Sequence, residues 1–383
     1  MKIVYILKSF ALTAGVERVM ADKMNWLANA GYELMLITYE QGNHPWAFQL
    51  HSSVRHIDLN TRFFELDKKS LIKKFFLLRQ MRKTFRFHLQ ALIDEFKPDL
   101  IIFTTYSIKL VDIILTIRSN AYKIIESHVA CYTIKKSYDY RHNIVLRSIA
   151  KLYDNTMLNK AANADCLVTL TNGDAADWNH YVSNTIVIPN PVTHIPQDIL
   201  HHNGSGRRII CVGRLHEQKG FDLLINSFKL IADRCPDWII DIYGDGPDKA
   251  KLLSTIQEKN LQERIFLKTP TPNIYNEYLH SEFLVLSSRY EGYPLVLNEA
   301  MSCGIPCVAF RCKYGPEDAI EDGVNGLLAE NGNIDDLANK ILWMIMHTEE
   351  RLRMGIRARE TSLNYDIQSI MNKWTDLFDR IVR

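Results

Sequence analysis

The chain has 383 residues, 47% of them hydrophobic and 23% charged, which is ordinary for a soluble globular protein and comfortable for two domains. No apolar run approaches the ~20 uncharged residues of a bilayer span, and no signal core with a cleavage site opens the sequence. The net charge of +2 is unevenly spread: residues 1–195 hold 24 Lys and Arg against 17 Asp and Glu, and the remainder holds 22 against 27. A basic first half is suited to an anionic surface or substrate without saying which.

Short apolar runs alternate with helix-period stretches twice over. Residues 2–7, 33–38, 100–104, 123–127, 166–169 and 185–188 read as strands of a first half. Residues 208–212, 238–243, 264–267, 283–287 and 306–310 repeat the pattern in a second. Such alternation argues for parallel sheets with crossover helices. Between the halves, Pro189-Asn190-Pro191 and the polar run at 195–206 have the composition of a linker. The predicted domains are therefore 1–193 and 207–365. Residues 366–383 form an amphipathic helix, because Ile367, Ile370, Met371, Trp374, Leu377, Phe378 and Ile381 recur at steps of three and four. The seven cysteines show no zinc-type spacing, and several sit in apolar runs such as Ile209-Ile210-Cys211-Val212; buried free thiols of a reducing compartment are the expectation.

Four segments carry chemistry. The first is Glu291-Gly-Tyr-Pro-Leu-Val-Leu-Asn-Glu299, following the strand at 283–287. Gly292–Pro294 reads as a turn and a helix begins near Leu295, whose first amides and dipole end attract an anion. Glu291 sits just outside that start and Glu299 in the second turn, and a carboxylate can accept two hydrogen bonds from a vicinal diol. Read alone, the pair is better taken as a helix-terminal charge and a solvated helix residue. The second is Gly213-Arg214-Leu-His-Glu-Gln-Lys219-Gly220, at the end of the strand at 208–212. Two cations on a glycine-flanked loop at that edge can clamp a diphosphate, though a solvated basic loop reads the same way. The third, Tyr243-Gly244-Asp245-Gly246-Pro247, allows close backbone approach. The fourth is Gly315-Pro316-Glu317 with the turn at Asp322–Gly326 and a short strand after it.

Together these segments resemble glycosyltransferase family 4 on the GT-B fold, most densely over residues 208–332. The resemblance implies two Rossmann-like α/β domains facing across a cleft, with the last helix crossing back to the first domain. It implies a retaining enzyme that uses a nucleoside-diphosphate sugar. Arg214 and Lys219 would then neutralise the leaving diphosphate, and Glu299 would hold the ribose. Glu291, with the amides of Gly292, Tyr293, Leu295 and Val296, would hold the sugar and phosphates, and Gly213 and Gly244 would line the donor site. In the first half, Ala14-Gly15-Val16-Glu17-Arg18 resembles the family's paired-glycine loop, with Ala14 replacing the first glycine and Gly15 matching. His128, at the end of the strand at 123–127, would contact the donor sugar. No Asp-x-Asp triplet occurs, so the expectation is neither metal nor cofactor, with Arg214 and Lys219 filling the cation's role. Family analogy around Tyr314–Glu317 favours a UDP-hexose or UDP-N-acetylhexosamine donor.

Residues 66–93 hold eight bases: Lys68, Lys69, Lys73, Lys74, Arg79, Arg82, Lys83 and Arg86. All but Lys74 project to one broad helical face, with Ile72, Phe75, Phe76 and Phe87 among them. Two readings carry equal weight: a crossover helix with a solvated basic side, and a helix lying on an anionic membrane. The expected partners are a nucleotide-sugar donor, a glycan or lipid-linked acceptor and an anionic membrane surface, with no nucleic acid. The expected place is the cytoplasm, at the inner face of the cytoplasmic membrane. The competing readings are an epimerase or phosphorylase of the same fold and a non-catalytic nucleotide-sugar-binding protein. A dehydrogenase lacks its GxGxxG after the strand at 2–7.

Overall fold

A computed structural model describes residues 1–11, 15–68, 70–134, 144–192, 194–197 and 206–382. It divides into two units, Met1–Ile188 with Met371–Arg383, and Pro189–Ile370. Each is built on one parallel sheet flanked by helices.

In the first unit the strands are β1 (Lys2–Leu7), β2 (Glu33–Thr38), β3 (Arg55–Asp58), β4 (Leu100–Thr104), β5 (Tyr122–Glu126), β6 (Cys166–Thr169) and β7 (Thr185–Val187), in the spatial order β3-β2-β1-β4-β5-β6-β7. In the second they are β8 (Arg208–Val212), β9 (Ile239–Tyr243), β10 (Ile265–Lys268), β11 (Phe283–Leu286), β12 (Cys307–Phe310) and β13 (Gly326–Ala329), in the order β10-β9-β8-β11-β12-β13. The central strands are buried on both faces, which is why they appear in sequence as unbroken apolar runs instead of alternating ones. β3 escapes that signal, because Arg55-His56-Ile57-Asp58 is an edge strand with a single aliphatic residue.

The second unit has an apolar layer on each face of its sheet. Phe221, Phe228, Ile240, Phe283 and Ile341 belong to one, and Leu284, Leu297, Met301 and Ile305 to the other. In the first unit Ile6, Ile37, Phe85, Phe103, Ile125 and Trp178 share one cluster. The last helix, Ile367–Val382, buries Trp374, Leu377 and Phe378. Its residues from Met371 onward belong to the first unit, where Phe378 meets the ring of Tyr32. All seven cysteines are buried. Among the described residues no helix is long and apolar enough to cross a membrane.

In both sheets the strand order reverses between the first strand and the fourth: between β1 and β4, and between β8 and β11. Ligands of open α/β sheets bind beyond the carboxyl ends of the strands at that reversal. The loops after β8 and β11 are therefore where a site in the second unit is to be sought.

Candidate functional site

The loop after β8 and the loop after β11 are joined by backbone and side chains alike. Gly220 holds φ at 62°, a left-handed conformation that glycine adopts without strain. It stacks so tightly on the Ser287 carbonyl that a Cβ there would overlap it. Ser287 Oγ donates to the Lys219 carbonyl at 2.9 Å. The Arg289 amide donates to the Gln218 carbonyl at 2.8 Å, and Gln218 Nε2 donates to the Tyr290 carbonyl at 3.1 Å. The Arg289 guanidinium grips the Asp222 carboxylate with two bonds of 2.8 and 2.7 Å. That grip holds Asp222 below the usual carboxylate range, against burial that would raise it.

Within this frame Lys219 and Glu291 meet. Lys219 Nζ lies 2.7 Å from Glu291 Oε1, and Ser288 Oγ donates to the same oxygen at 2.5 Å. The Glu291 side chain is 6% exposed and that of Lys219 19%, so the pair is largely removed from water. Gly213 lies against the Lys219 stem, where a Cβ would come within 3.3 Å of three of its carbons. Arg214, by contrast, is exposed on the same loop. Lys219 is thus balanced by Glu291, and Arg214 is the solvent-facing cation of the motif.

The turn through Gly292 leads into the helix Leu295–Ser302, with Pro294 as its N-cap. Leu295 and Val296 are its first two residues, and their amides have no carbonyl one turn back to reach. Tyr293 contributes backbone only: its ring is buried and its hydroxyl accepts from Asn298 Nδ2. Glu299, half-buried in the second turn, accepts at 3.0 Å from the hydroxyl of buried Tyr278. Gly244, read in sequence as room for a ligand, has a different neighbour. A Cβ there would overlap the Gly213 carbonyl, and one on Gly246 would overlap the Leu215 carbonyl. These glycines let the loop after β9 lie against the loop after β8.

The candidates of the first unit sit at the corresponding edge of its sheet. Gly15 opens the helix Gly15–Asn29 after β1; Ala14 lies outside the described residues. Glu17, in that helix's first turn, is raised by burial, offset in part by His128. His128 follows β5 and its side chain is fully buried, with Nε2 at 3.1 Å from Glu126 Oε1. Lys23 Nζ meets the same oxygen at 2.5 Å, and both side chains of that pair are 1% exposed. The turn beyond His128 is pinned by Asp174, which accepts from the Cys131 amide at 2.7 Å. Burial pushes the Asp174 carboxyl up to about 6, against the hydrogen bonds that lower it.

In the helix Leu71–Phe96, Phe85 and Leu89 are buried against the sheet, while Phe75, Phe76 and Phe87 are 62%, 66% and 72% exposed. The basic face is not uniform. Arg82 makes two bonds to Asp112, of 2.7 and 2.6 Å, and Arg86 bonds Thr116, so both are committed to the neighbouring segment. Lys73, Arg79 and Lys83 remain exposed. Lys69, and the side chains of Lys68 and Ile72, lie outside the described residues.

Residues 196–361 match the family model for "Glycosyl transferases group 1". The whole chain is 28% identical over 377 residues to an uncharacterized glycosyltransferase of Haemophilus influenzae, covering 97% of this chain and 98% of that one. The chain is a glycosyltransferase. Over 202 residues the transferase is also 37% identical to a poly(ribitol-phosphate) alpha-N-acetylglucosaminyltransferase of Staphylococcus aureus, covering 52% of this chain and 39% of that one. Its fold is GT-B: it superposes with a TM-score of 0.78, at 19% identity, on an S. aureus TarM variant in complex with fondaparinux, alpha-GlcNAc-glycerol and UDP, covering 98% of this chain and 99% of that one.

Several residues that shape the transferase's two loop clusters were not singled out in sequence. The Arg289–Asp222 pair has no motif, since its partners lie 67 residues apart, and Ser288, whose hydroxyl bonds Glu291 three residues on, carries no motif of its own. Lys23 did leave a signal. It falls on the apolar stripe of its helix, with Val19, Met20 and Leu27, where a cation needs a buried partner.

Proposed function

We propose that the enzyme is a retaining hexosyltransferase that moves a sugar from a UDP-hexose or UDP-N-acetylhexosamine to an acceptor hydroxyl of a cell-surface polysaccharide or lipid-linked glycan. The observation that carries the reading is the Lys219–Glu291 pair, set at the sheet's reversal between a glycine loop bearing Arg214 and the open helix start at Leu295. Arg214 and Lys219 with the amides of Leu295 and Val296 would stabilise charge developing on the departing diphosphate. Glu299 would accept from the ribose hydroxyls and Glu291 from the sugar. As the bond from the sugar's C1 to the phosphate oxygen breaks, the acceptor oxygen bonds C1 from the same face. Its proton passes to the leaving phosphate, so no strong protein base is needed. His128 has the role that the resemblance gives it, a hydrogen bond to the transferred sugar.

The chemistry of the relatives supports the reading: UDP accompanies one structural neighbour, and an alpha-N-acetylglucosaminyl group is what one relative transfers. Exposed Phe75, Phe76 and Phe87 among Lys73, Arg79 and Lys83 favour work at an anionic bilayer, where each nearby base contributes ~1 kcal/mol. The test is proton NMR of the product formed from UDP-glucose or UDP-N-acetylglucosamine with poly(ribitol phosphate) and lipid-linked saccharides as acceptors. An α-linked product from these α-linked donors is expected. A β-linked product would refute retention, and turnover of GDP-mannose but no UDP-sugar would refute the donor.

A further inference from the structure

The segment between β2 and β3, residues 39–54, takes no part in the chemistry proposed above, yet its first half is built as a fixed element. The Lys8 carbonyl, just past β1, accepts from the Tyr39 and Glu40 amides at 3.3 and 2.9 Å. The buried Gln41 side chain accepts from the Phe10 amide at 2.6 Å and donates to the His44 carbonyl at 2.9 Å. The Asp58 carboxylate accepts from the Gln41 and Gly42 amides at 3.3 and 2.9 Å. The Ala47 amide donates to the Phe10 carbonyl at 3.0 Å, and the Tyr39 hydroxyl lies 3.0 Å from Ser107 Oγ, beyond β4. The loops after β1, β2 and β4 are thus one frame. It stands at the carboxyl edge of the first sheet, where the strand order reverses and ligands of open α/β sheets bind. Trp46 is seated on this frame. Its ring centroid lies 5.6 Å from that of buried Phe10, and it meets the His56 ring edge-on at 4.5 Å. It is nevertheless 41% exposed, and among the described residues it is the only exposed one of the chain's six tryptophans.

We propose that Trp46 is a specificity-determining residue whose indole is the stacking platform for a sugar ring of the acceptor, so that the acceptor is a cyclic saccharide and not an open-chain polyol phosphate. A pyranose presents C–H groups on its face and hydroxyls at its rim. The indole face is the negative end of a quadrupole and takes the C–H face, removing apolar surface of both from water. Lys8, two residues before Phe10, supplies a donor for the rim: its side chain is 54% exposed and stays 3.2 Å from the nearly buried Glu40 carboxylate. An alditol phosphate has neither a ring nor a flat apolar face to lay on the indole. The fixed seat matters as much as the ring, because a platform already held in place loses little freedom when the saccharide arrives. The role as acceptor site, but not the binding of a sugar ring, rests on the function proposed above.

The experiment has two arms. In the first, tryptophan fluorescence of wild type with UDP present is titrated with methyl glycosides of glucose, galactose and N-acetylglucosamine, and with ribitol 5-phosphate. At least one glycoside should change the emission and ribitol 5-phosphate should not, and Trp46→Leu, which keeps apolar bulk on Phe10 without an aromatic face, should lose the response. No response to any glycoside, a response to ribitol 5-phosphate alone, or one that survives in Trp46→Leu would overturn the inference. In the second arm, transfer to a lipid-linked saccharide is measured. Trp46→Leu should raise the acceptor KM about tenfold while kcat and UDP affinity hold, and Trp46→Phe should recover most of the loss. An acceptor KM unchanged in Trp46→Leu, or a loss shared equally by Trp46→Phe, would also overturn it. A fluorescence response without transfer to any saccharide would instead sink the acceptor reading and leave the platform standing.

Discussion

Replacing Lys219 with Met removes the only side-chain cation paired with Glu291 among the described residues. The carboxylate would keep its bond from Ser288 Oγ but remain 94% out of water with its charge uncompensated. Breaking one partner out of a buried pair costs about 3–5 kcal/mol, and the partial exposure of Lys219 places this case near about 3. For a unit of this size each 1 kcal/mol shifts Tm by roughly 2–4 °C, so a fall of about 6–12 °C is expected. Turnover should drop about 10²–10³-fold, as when one stabiliser of a developing anion is lost. Lys219→Met with Glu291→Gln should recover most of the stability, because no buried charge is then left alone, but none of the activity. Thermal unfolding followed by circular dichroism, with steady-state kinetics on the same samples, separates the two effects. A single variant within about 2 °C of wild type, or a double variant that stays unstable, would refute the reasoning.

Gly244→Ala should unfold at distinctly lower temperature than wild type, since its Cβ would enter the Gly213 carbonyl; calorimetry that finds no change would contradict the loop contact. Asp174 titrates near 6 when folded, above its ordinary 3.8, so the folded state binds the extra proton in that window. Stability should therefore fall as pH rises from about 4 to 6, and urea titrations should find that slope flattened in Asp174→Asn. Turnover should persist in excess EDTA, and loss restored by Mg²⁺ would show that a metal, not Arg214 and Lys219, meets the diphosphate. Flotation at low salt should bring wild type up with anionic but not neutral vesicles. Phe75→Ala with Phe76→Ala and Lys73 and Lys83 changed to Glu should abolish that flotation.

Much of the fold was legible because parallel strands buried on both faces leave continuous apolar runs, as at Leu100–Thr104 and Phe283–Leu286. β3 was not, because its edge position asks for little apolar surface. The segments at 213–220 and 291–299 were legible as motifs, since glycines and charges recur at short spacing. Their partners were not: the Lys219–Glu291 pair spans 72 residues and the Lys23–Glu126 pair 103. Spacing cannot report a contact that only the sheet order creates. Likewise Gly244 announced a close approach without naming the neighbour, which is another loop's backbone. The helix Leu71–Phe96 read as carrying one broad basic face, and only the fold reveals that Arg82 and Arg86 on it are bound to adjacent groups.

The most direct test of the central claim is calorimetric titration of UDP and GDP into wild type, Arg214→Ala and Glu299→Ala. The account predicts that UDP binds wild type in preference to GDP. Arg214→Ala should weaken UDP by about tenfold or more through the lost phosphate contact, since a charge-assisted bond contributes about 1.5–3 kcal/mol. Glu299→Ala should weaken it through the ribose. No UDP binding to wild type, or equal affinity in all three proteins, would contradict the assignment of the donor to the loops after β8 and β11.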